Sequence, residues 1–584
     1  ITGTAQLVND GKAPVLVSTI PAEGATNASA NGKIVLTFDE KVKLTDNAAA
    51  TLGTAKIEGT VSGKTITFAY KGLNYATAYT FTLAAGSVAD LTDNATDQAI
   101  VLNFTTKTKP AVTKALYDFI VPTDGDFKAA LDAAAKRTDT SKRFRIFIKQ
   151  GDYKIPADEK SKVTGSDGKS YANPTTYMNT PNVSIIGESM DNTSLTNTIP
   201  NSGQSANVLE GIGKGDVLCL QKGATNTYFQ DLKMYSSMGD AKGRDIVLND
   251  QSNKTICKNV NLWAYQDTYV SNNQNGKFYF EDGILRGRTD YLCGKGDVYY
   301  NNVELWICEK GGYLAVPSQP KKYGYIFKDC TIKDATEAKD LNGNYTLGRP
   351  WGKGTPIALY IDTKMEAIPS AAGWNEMSGG YPKRFAEYNS YTSTGSIVDL
   401  KDRKKVYDAY DSKNGDNYVN RRNETAESPI LAAEEAAFYT VENIMGQDDD
   451  WDPTAATEQA SAPTNVKLNG TTLAWDNNDY ALLWAVCKNG KVVDFTITPS
   501  YIVDDASATW SVRAANEMGG LSEATVVGQG TGIHNITSAT DAAVIKTAIY
   551  AADGTQLSNL QKGINIIVKT LADGSKKTSK VIVK

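Results

Sequence analysis

The sequence has a single histidine, His534, in a chain of 584 residues. Residues 1–533 therefore cannot form a catalytic site that needs an imidazole, such as a Ser-His-Asp triad or a zinc site with histidine ligands. Hydrolytic chemistry in those residues must come from carboxylates, lysine, arginine or a bound metal.

Cysteine is also sparse, because the chain has only six and none of them has the CxxC spacing of a zinc site. Six thiols are too few to form a disulfide scaffold in so long a chain. We interpret them as buried free thiols, with one disulfide between neighbouring segments as the alternative.

Long apolar runs and dense blocks of like charge are missing as well. No stretch of about 18 apolar residues occurs, and Ile1 is not followed by the pattern of a signal peptide. The net charge is only −5. We therefore expect a soluble monomer that neither inserts into a membrane nor binds nucleic acid.

The composition favours β-structure, with 49 glycines and 30 tyrosines against 15 phenylalanines. The length requires several domains. Residues 33–38 and 65–68 alternate apolar and polar side chains, which predicts a small β-sandwich over residues 1–108. Residues 13–22 resemble the start of the bacterial immunoglobulin-like modules found on exported enzymes.

The middle of the chain has a longer rhythm. Short β-rich runs that end in Asn, Gly or Asp recur at steps of roughly 20 to 25 residues, the range of a solenoid coil. Examples are residues 228–232, 256–260, 278–282 and 325–330. We predict a right-handed parallel β-helix over residues 109–455, capped by a helix at 126–136.

The rest of the chain returns to β-module patterns. Residues 456–530 resemble a fibronectin type III module, and residues 531–584 resemble a short C-terminal β-module of exported proteins. The predicted fold class is therefore all-β, a right-handed parallel β-helix flanked by small β-sandwich domains. Such appended modules also suit an exported protein, whether secreted, periplasmic or on the cell surface.

Two aspartates stand out in the predicted solenoid. Asp267 and Asp290 are 23 positions apart, about one coil, so stacking would place their carboxylates side by side. One could then stay ionised while the pKa of its neighbour rises toward the range useful for proton transfer. On spacing alone, however, a structural role at coil turns is favoured, because aspartate is common in turns.

Three short motifs contain or follow these aspartates: YQDT at 265–268, GRTDYLCG at 287–294 and LGRPW at 347–351. Together, in this order, they resemble the signatures of the pectin methylesterases, and the resemblance extends over nearly all of residues 115–453. It implies an enzyme that acts on pectin, hydrolysing methyl esters of polygalacturonate without a metal or organic cofactor.

The resemblance also implies a role for each site residue. Asp290 would be the nucleophile, and Asp267 the general acid that later acts as base. Gln266 would donate hydrogen bonds to the oxyanion. Arg349 would pair with Asp290, and Trp351 would offer a flat face to a sugar ring.

One departure from the family concerns Arg244, which stands where the family has a second oxyanion glutamine. Its guanidinium could donate to the oxyanion, or pair instead with Asp245 or a substrate carboxylate. Tyr269 and Arg288, beside the first two motifs, are predicted to bind substrate. A further difference is the segment 315–318, which replaces a groove-lining motif of the family.

Two other functions stay open on the sequence alone. Pectin-active lyases and galacturonan hydrolases share the β-helix fold, and fold alone does not decide function. A non-catalytic glycan-binding surface protein would also suit the β-modules at both ends and the arginine at position 244.

Overall fold

The structure is a computed structural model. It describes residue 9 and residues 11–528 except 114, 201–206, 241–242, 336–339 and 479, together with the backbone of four C-terminal strands. The chain divides into two compact units, 1–528 and 529–584. His534 and its neighbours lie outside the described residues.

The first part of the larger unit is a small β domain made of four-, two- and five-stranded sheets. Its core contains Ile34, Leu36 and Phe38, the alternate residues of one strand, as the sequence pattern predicts. The strands are Leu16–Ile20, Ala25–Ala28, Gly32–Phe38, Val42–Leu44, Ala50–Leu52, Ala55–Lys56, Gly59–Ser62, Thr65–Tyr70, Ala78–Leu83, Val88–Asp90 and Ile100–Thr106.

The middle of the chain forms three long parallel sheets that the chain visits in turn, so the predicted parallel β-helix is confirmed. The ten-stranded sheet contains Phe119–Val121, Phe144–Ile148, Val183–Gly187, Tyr228–Gln230, Thr255–Lys258, Lys277–Glu281, Asp297–Asn301, Tyr325–Lys328, Ile357–Ile361 and Arg384–Tyr388. The nine-stranded sheet contains Gly151–Lys154, Thr193–Thr196, Lys233–Tyr235, Asn261–Trp263, Ile284–Gly287, Glu304–Ile307, Thr331–Asp334, Lys364–Met365 and Tyr391–Thr392. The seven-stranded sheet contains Thr176–Met178, Leu218–Leu220, Leu248–Asp250, Tyr269–Ser271, Thr289–Gly294, Gly312–Pro317 and Tyr345–Gly348.

The polar residues that end the β-rich runs form one corner of the solenoid. At the turn from the ten- to the nine-stranded sheet, Asn or Asp takes a positive φ on coil after coil, and these residues are Asp231, Asn259, Asp282, Asn302, Asp329, Asp362 and Asn389. Their side chains bond across coils, as Asn259 does to Asp231 at 2.6 Å and Asn302 to Asp282 at 2.7 Å. We call this row the corner ladder. It explains the sequence rhythm, because Asn and Asp tolerate left-handed backbone best among residues with side chains.

A helix covers the first coil, as predicted. It spans Phe127–Lys136, and the Asp126 carboxylate caps it by accepting from the Ala129 N–H at 2.8 Å. Its buried face, which includes Phe127 and Leu131, packs on the interior of the solenoid. The other described helices are Ala433–Phe438, Val441–Met445 and Pro453–Thr457. Each of the described helices is too short to cross a bilayer.

Three hairpins and the C-terminal modules complete the fold. The hairpins pair Asp158–Thr164 with Ser170–Asn173, Val406–Ala409 with Arg422–Thr425, and Ser412–Asn414 with Asn417–Val419. The second sandwich consists of Lys467–Asn469, Thr472–Ala474, Leu483–Lys488, Lys491–Thr496, Ser500–Ile502, Trp510–Ala515 and Thr525–Val526. The smaller unit is an antiparallel sheet of Val544–Ala551, Gln556–Leu557, Gly563–Leu571 and Lys576–Val583. The predicted domain boundaries at 108, 455 and 530 stay predictions.

The second sandwich packs on the outer face of the ten-stranded sheet. Phe495 of the sandwich contacts Tyr117 and Phe147 of the solenoid, with ring centroids 4.9 Å and 5.4 Å away. The Tyr117 hydroxyl donates to the Gly519 carbonyl at 2.6 Å. This aromatic cluster buries apolar surface of both parts, so each should stabilise the other. All six cysteines are buried free thiols, as interpreted from the sequence.

We predict that Phe495→Ala lowers the free energy of unfolding of the larger unit by about 3 kcal/mol, because it leaves a cavity between the sandwich and the solenoid. Urea unfolding of the full chain, followed by tryptophan fluorescence and by circular dichroism, measures the change. Val493→Ala, at an exposed position of the same strand, is the matched control and should change it by less than about 0.5 kcal/mol. Equal effects of the two substitutions would contradict a stabilising role for this contact.

Candidate active site

Asp267 and Asp290 occupy equivalent positions on neighbouring coils. Tyr269 pairs with Leu292 in the seven-stranded sheet, and Gln266 bridges to Thr289, so the offset is 23 residues at both points. Both aspartates have a positive φ, +59° at Asp267 and +51° at Asp290. The predicted stacking of the two acids one coil apart is therefore present in the structure.

Asp290 is held by Arg349 through two hydrogen bonds. Nε of Arg349 donates to Oδ1 at 2.9 Å and Nη2 donates to Oδ2 at 2.7 Å, the planar arrangement in which guanidinium binds carboxylate most firmly. Arg349 comes from two coils further along the solenoid. Its guanidinium lies 3.9 Å from the ring centre of Tyr313, which belongs to the coil between them.

The LGRPW motif places this arginine through close backbone contact. A side chain at Gly348 would put its Cβ 2.2 Å from the carbonyl oxygen of Ala315, so only glycine fits there. The next amide, of Arg349, donates to the same carbonyl at 3.1 Å. Trp351 is 40% exposed at the end of the motif, a position from which its ring can meet a ligand.

Asp267 has different surroundings from Asp290. It is 6% exposed, its Oδ2 lies 3.5 Å from Nε of the half-exposed Arg244, and its Oδ1 accepts from the Cys293 thiol at 3.7 Å. Burial, and then the charge of Asp290, raise the pKa of Asp267 to about 7, although Arg244 acts in the opposite direction. One acid is thus tied to a cation by two hydrogen bonds, while the other can gain or lose a proton near neutral pH.

Gln266 precedes this second acid and is half-buried. Its backbone N–H donates to Oδ1 of Asp245 at 3.1 Å. Within the part of the chain that the structure describes, its side-chain amide makes no hydrogen bond, so both of its N–H groups are available to a ligand.

The remaining predicted residues lie in three different settings. Arg244 pairs with Asp267 and not with Asp245, which was one of the alternatives. Arg288 donates to the Lys310 carbonyl and to the Thr289 hydroxyl, which uses much of its guanidinium. The prediction that Tyr269 binds substrate is wrong. Its side chain is 0% exposed and packs on Phe280 inside the solenoid, with ring centres 4.7 Å apart.

Sequence reasoning gave no role to Cys293, which touches Asp267, or to Tyr313, which packs on Arg349, and it considered Asp245 only as a partner of Arg244. Asp245 lies 22 residues before Asp267, one coil earlier, so the same spacing argument could have found it. Cys293 lies within the second motif and could have been considered, whereas no sequence pattern pointed to Tyr313. Among the residues with described side chains, no group of three His, Cys, Asp or Glu residues could hold a metal ion.

Comparison with known proteins agrees with the motifs. The family described as Pectinesterase matches residues 118–423, more than half of the chain, and the family described as Bacterial Ig-like domain matches residues 10–106.

Similar curated proteins include Pectinesterase/pectinesterase inhibitor U1 of Solanum lycopersicum, 23% identical over 301 residues, which are 49% of this chain and 47% of that protein. Probable pectinesterase A of Aspergillus oryzae is 29% identical over 165 residues, 27% of this chain and 48% of that protein. The chain spans about half the length of the curated relatives that it matches first. Among solved structures, the pectin methylesterase from carrot aligns over 60% of this chain and 99% of its own, with 16% identity and a TM-score of 0.43.

The environment of Asp267 predicts an unusual effect on stability. Its folded-state pKa of about 7 exceeds the unfolded value of about 3.9, so the folded chain binds a proton more tightly and loses stability as the pH rises from about 4 to 7. Asp267→Asn, which carries no charge, should be more stable than the wild type at pH 8 by roughly 2 to 4 kcal/mol, and nearly equal to it at pH 4. Urea unfolding at both pH values measures this.

Asp290→Asn is the matched comparison, and it should destabilise the chain at pH 8 by about 1 to 3 kcal/mol because Arg349 loses its carboxylate partner. If Asp267→Asn were no more stable than the wild type at pH 8, the raised pKa of Asp267 would be contradicted.

Proposed function

The chain belongs to the pectinesterase family, and on that premise we propose that it hydrolyses the C6 methyl esters of pectin to pectate and methanol. The observation that carries the proposal is the pair of stacked acids with different partners. Asp290 is hydrogen-bonded twice by Arg349, and Asp267 is buried with its pKa near 7. Acyl transfer by carboxylates needs one acid that attacks and one that exchanges a proton.

Asp290 is the proposed nucleophile. One of its oxygens attacks the ester carbonyl carbon, which gives a tetrahedral intermediate and then an acyl-enzyme anhydride as methanol leaves. Arg349 holds this carboxylate by two hydrogen bonds and fixes its plane. The Tyr313 ring beneath the guanidinium limits the movement of Arg349.

Asp267 is the proposed general acid and base. In its protonated form it gives its proton to the departing methoxide oxygen, and the resulting carboxylate then takes a proton from the water that hydrolyses the acyl-enzyme. A pKa of about 7 suits both steps, because both forms are populated near neutral pH. The same burial that raises the pKa also keeps the acid out of bulk water.

The negatively charged oxygen of the tetrahedral intermediate needs hydrogen-bond donors. The side-chain amide of Gln266 is the proposed main donor, and the half-exposed guanidinium of Arg244 is close enough to Asp267 to contribute positive charge beside it. Trp351 is proposed to stack on a sugar ring. Arg288 is proposed to bind a substrate carboxylate with the part of its guanidinium that is not bonded to Lys310 and Thr289.

Further parts of the proposal concern the setting of the enzyme. A single chain supplies every residue of the proposed site, so a monomer suffices, and neither a cofactor nor membrane insertion is required. The immunoglobulin-like module and a cell-wall polymer as substrate both support export to the outside of the cell.

The proposal predicts that the protein releases methanol from highly methylated pectin without cleaving the chain. Asp290→Asn should lower kcat by at least about 10³-fold, because an amide cannot replace the nucleophile. Asp329→Asn is the matched control: it makes the same change at an exposed residue of the corner ladder with the same positive φ, and it should leave kcat unchanged. Methanol assays and chromatography of the products measure methanol release and chain cleavage.

New reducing ends or unsaturated ends would identify a hydrolase or a lyase instead, and binding of pectin without turnover would identify a glycan-binding protein.

The ion pair of Arg244 and Asp267 predicts a shift in the pH profile. The first half-reaction needs protonated Asp267, so kcat/KM falls as the pH rises through the pKa of Asp267. Arg244→Gln removes a positive charge that favours the carboxylate, so the pKa should rise and the alkaline limb should move to higher pH by about 0.5 to 1 unit. Arg244→Lys, which keeps the charge, is the control and should move the limb less. A shift of the limb to lower pH in Arg244→Gln would contradict the assignment of Asp267 as the acid.

A further inference from the structure

A third carboxyl group, that of Asp245, lies at the same corner of the solenoid one coil before Asp267. It is 0% exposed. Its Oδ1 accepts from two successive backbone N–H groups, those of Tyr265 at 3.2 Å and Gln266 at 3.1 Å, and its own N–H donates to the Gln266 carbonyl at 3.3 Å. Three hydrogen bonds therefore join Asp245 to the two residues that directly precede Asp267.

These bonds replace regular sheet pairing at this point. Arg244 and Gln266 form only an isolated bridge, and the seven-stranded sheet resumes with Leu248–Asp250 and Tyr269–Ser271. Without the Asp245 carboxyl, the backbone N–H groups of Tyr265 and Gln266 would lose this acceptor, which is unfavourable for donors shielded from water. The turn could then relax only by moving Gln266 and Asp267.

The charge state of Asp245 follows from what faces it. Its Oδ2 is buried and has no hydrogen-bond partner among the described residues, and the nearby Arg244 has its Nε beside Asp267. The other groups that face it are the carboxyl of Asp267 and the hydroxyl of Ser236. Burial raises the pKa of Asp245 well above its usual range and outweighs the backbone N–H groups of Gln266 and Tyr265 and the Ser236 hydroxyl, which act in the opposite direction. The charge of Asp267 adds to the increase. A neutral Asp245 leaves the positive charge of Arg244 to Asp267.

We propose that Asp245 is a positioning residue of the esterase site, a neutral carboxyl that holds the turn carrying Gln266 and Asp267 in place through the reaction. The inference rests on the proposed function, because that function is what gives Gln266 and Asp267 in this turn a catalytic role. Since Asp267 changes charge twice in each turnover, a neutral anchor can keep the same hydrogen bonds to the backbone of the turn in both states. An ionised anchor would instead repel Asp267 each time it lost its proton.

Two substitutions test this in the full chain. Asp245→Asn keeps a neutral side chain with an acceptor oxygen, so kcat should stay within about 3-fold of wild type and the alkaline limb of kcat/KM should stay in place. Asp245→Ala removes the acceptor, so kcat should fall at least about 10-fold while KM changes little, because a misplaced acid and oxyanion donor act on the transition state. Circular dichroism and thermal unfolding establish that each variant is folded before its kinetics are compared.

Several outcomes overturn the inference. A folded Asp245→Ala variant with kcat within 2-fold of wild type would show that the turn needs no anchor. If the alkaline limb of the kcat/KM profile moved to lower pH in Asp245→Asn, Asp245 would carry a negative charge in the wild type. If Asp245→Ala does not fold, Asp245→Asn alone decides, and a 10-fold loss of kcat in it counts against the proposal.

A spectroscopic measurement separates this inference from the proposed function. The infrared difference between wild type and Asp245→Asn at pH 8 should contain the C=O band of a protonated carboxyl, whatever reaction the protein catalyses. Absence of that band would overturn the neutral assignment. Retention of full activity by Asp290→Asn would overturn the proposed function, and the band would be unaffected.

Discussion

The hydrogen-bonded register between successive coils is the constraint on which the site depends. Because the strands pair in parallel, a side chain at one point of a coil has a counterpart at the same point of the next. Asp245, Asp267 and Asp290 lie on three successive coils at one corner, and Arg349 reaches back from two coils beyond. The distances between acids and cations are therefore set by coil length and turn geometry, and not by any local sequence segment alone.

The parts of the site that follow this periodicity could be predicted from the sequence. The spacing of Asp267 and Asp290 indicated adjacent acids, and the family motifs supplied Arg349 as the partner. The sequence could not predict that the Tyr269 side chain lies inside the solenoid. The left-handed backbone at Asp267 interrupts the alternation of side chains just before the strand Tyr269–Ser271. Periodicity likewise predicted the solenoid itself. It could not predict that Phe495 packs on Phe147, a contact between segments almost 350 residues apart whose local patterns only indicate strands.

The corner ladder shows how the structural aspartates differ from the two acids of the proposed site. Asp282 and Asp329 have the same positive φ as Asp267 and Asp290, so backbone conformation does not distinguish the two groups. The difference lies in what the carboxylates meet. In the ladder, Asp282 accepts from the amide of Asn302 and from a lysine beside it. At the other corner the two acids are buried and bind arginines or a thiol. The expectation that aspartates serve turns was thus correct for the fold as a whole and incomplete for this corner.

Arg244, which the motif resemblance places where the family has a glutamine, is best understood as part of an electrostatic balance. Burial and the charge of Asp290 both favour the protonated form of Asp267, and the Arg244 guanidinium opposes them. A glutamine would leave only the Cys293 thiol and the charge of Arg349 to oppose that tendency, and an ionised Asp245 would offset the charge of Arg244. With a neutral Asp245, the charge of the half-exposed Arg244 acts on Asp267 without competition from the carboxyl one coil before it. Positions 244 and 245 would therefore act together, because a neutral carboxyl beside the cation leaves the positive charge of Arg244 to Asp267.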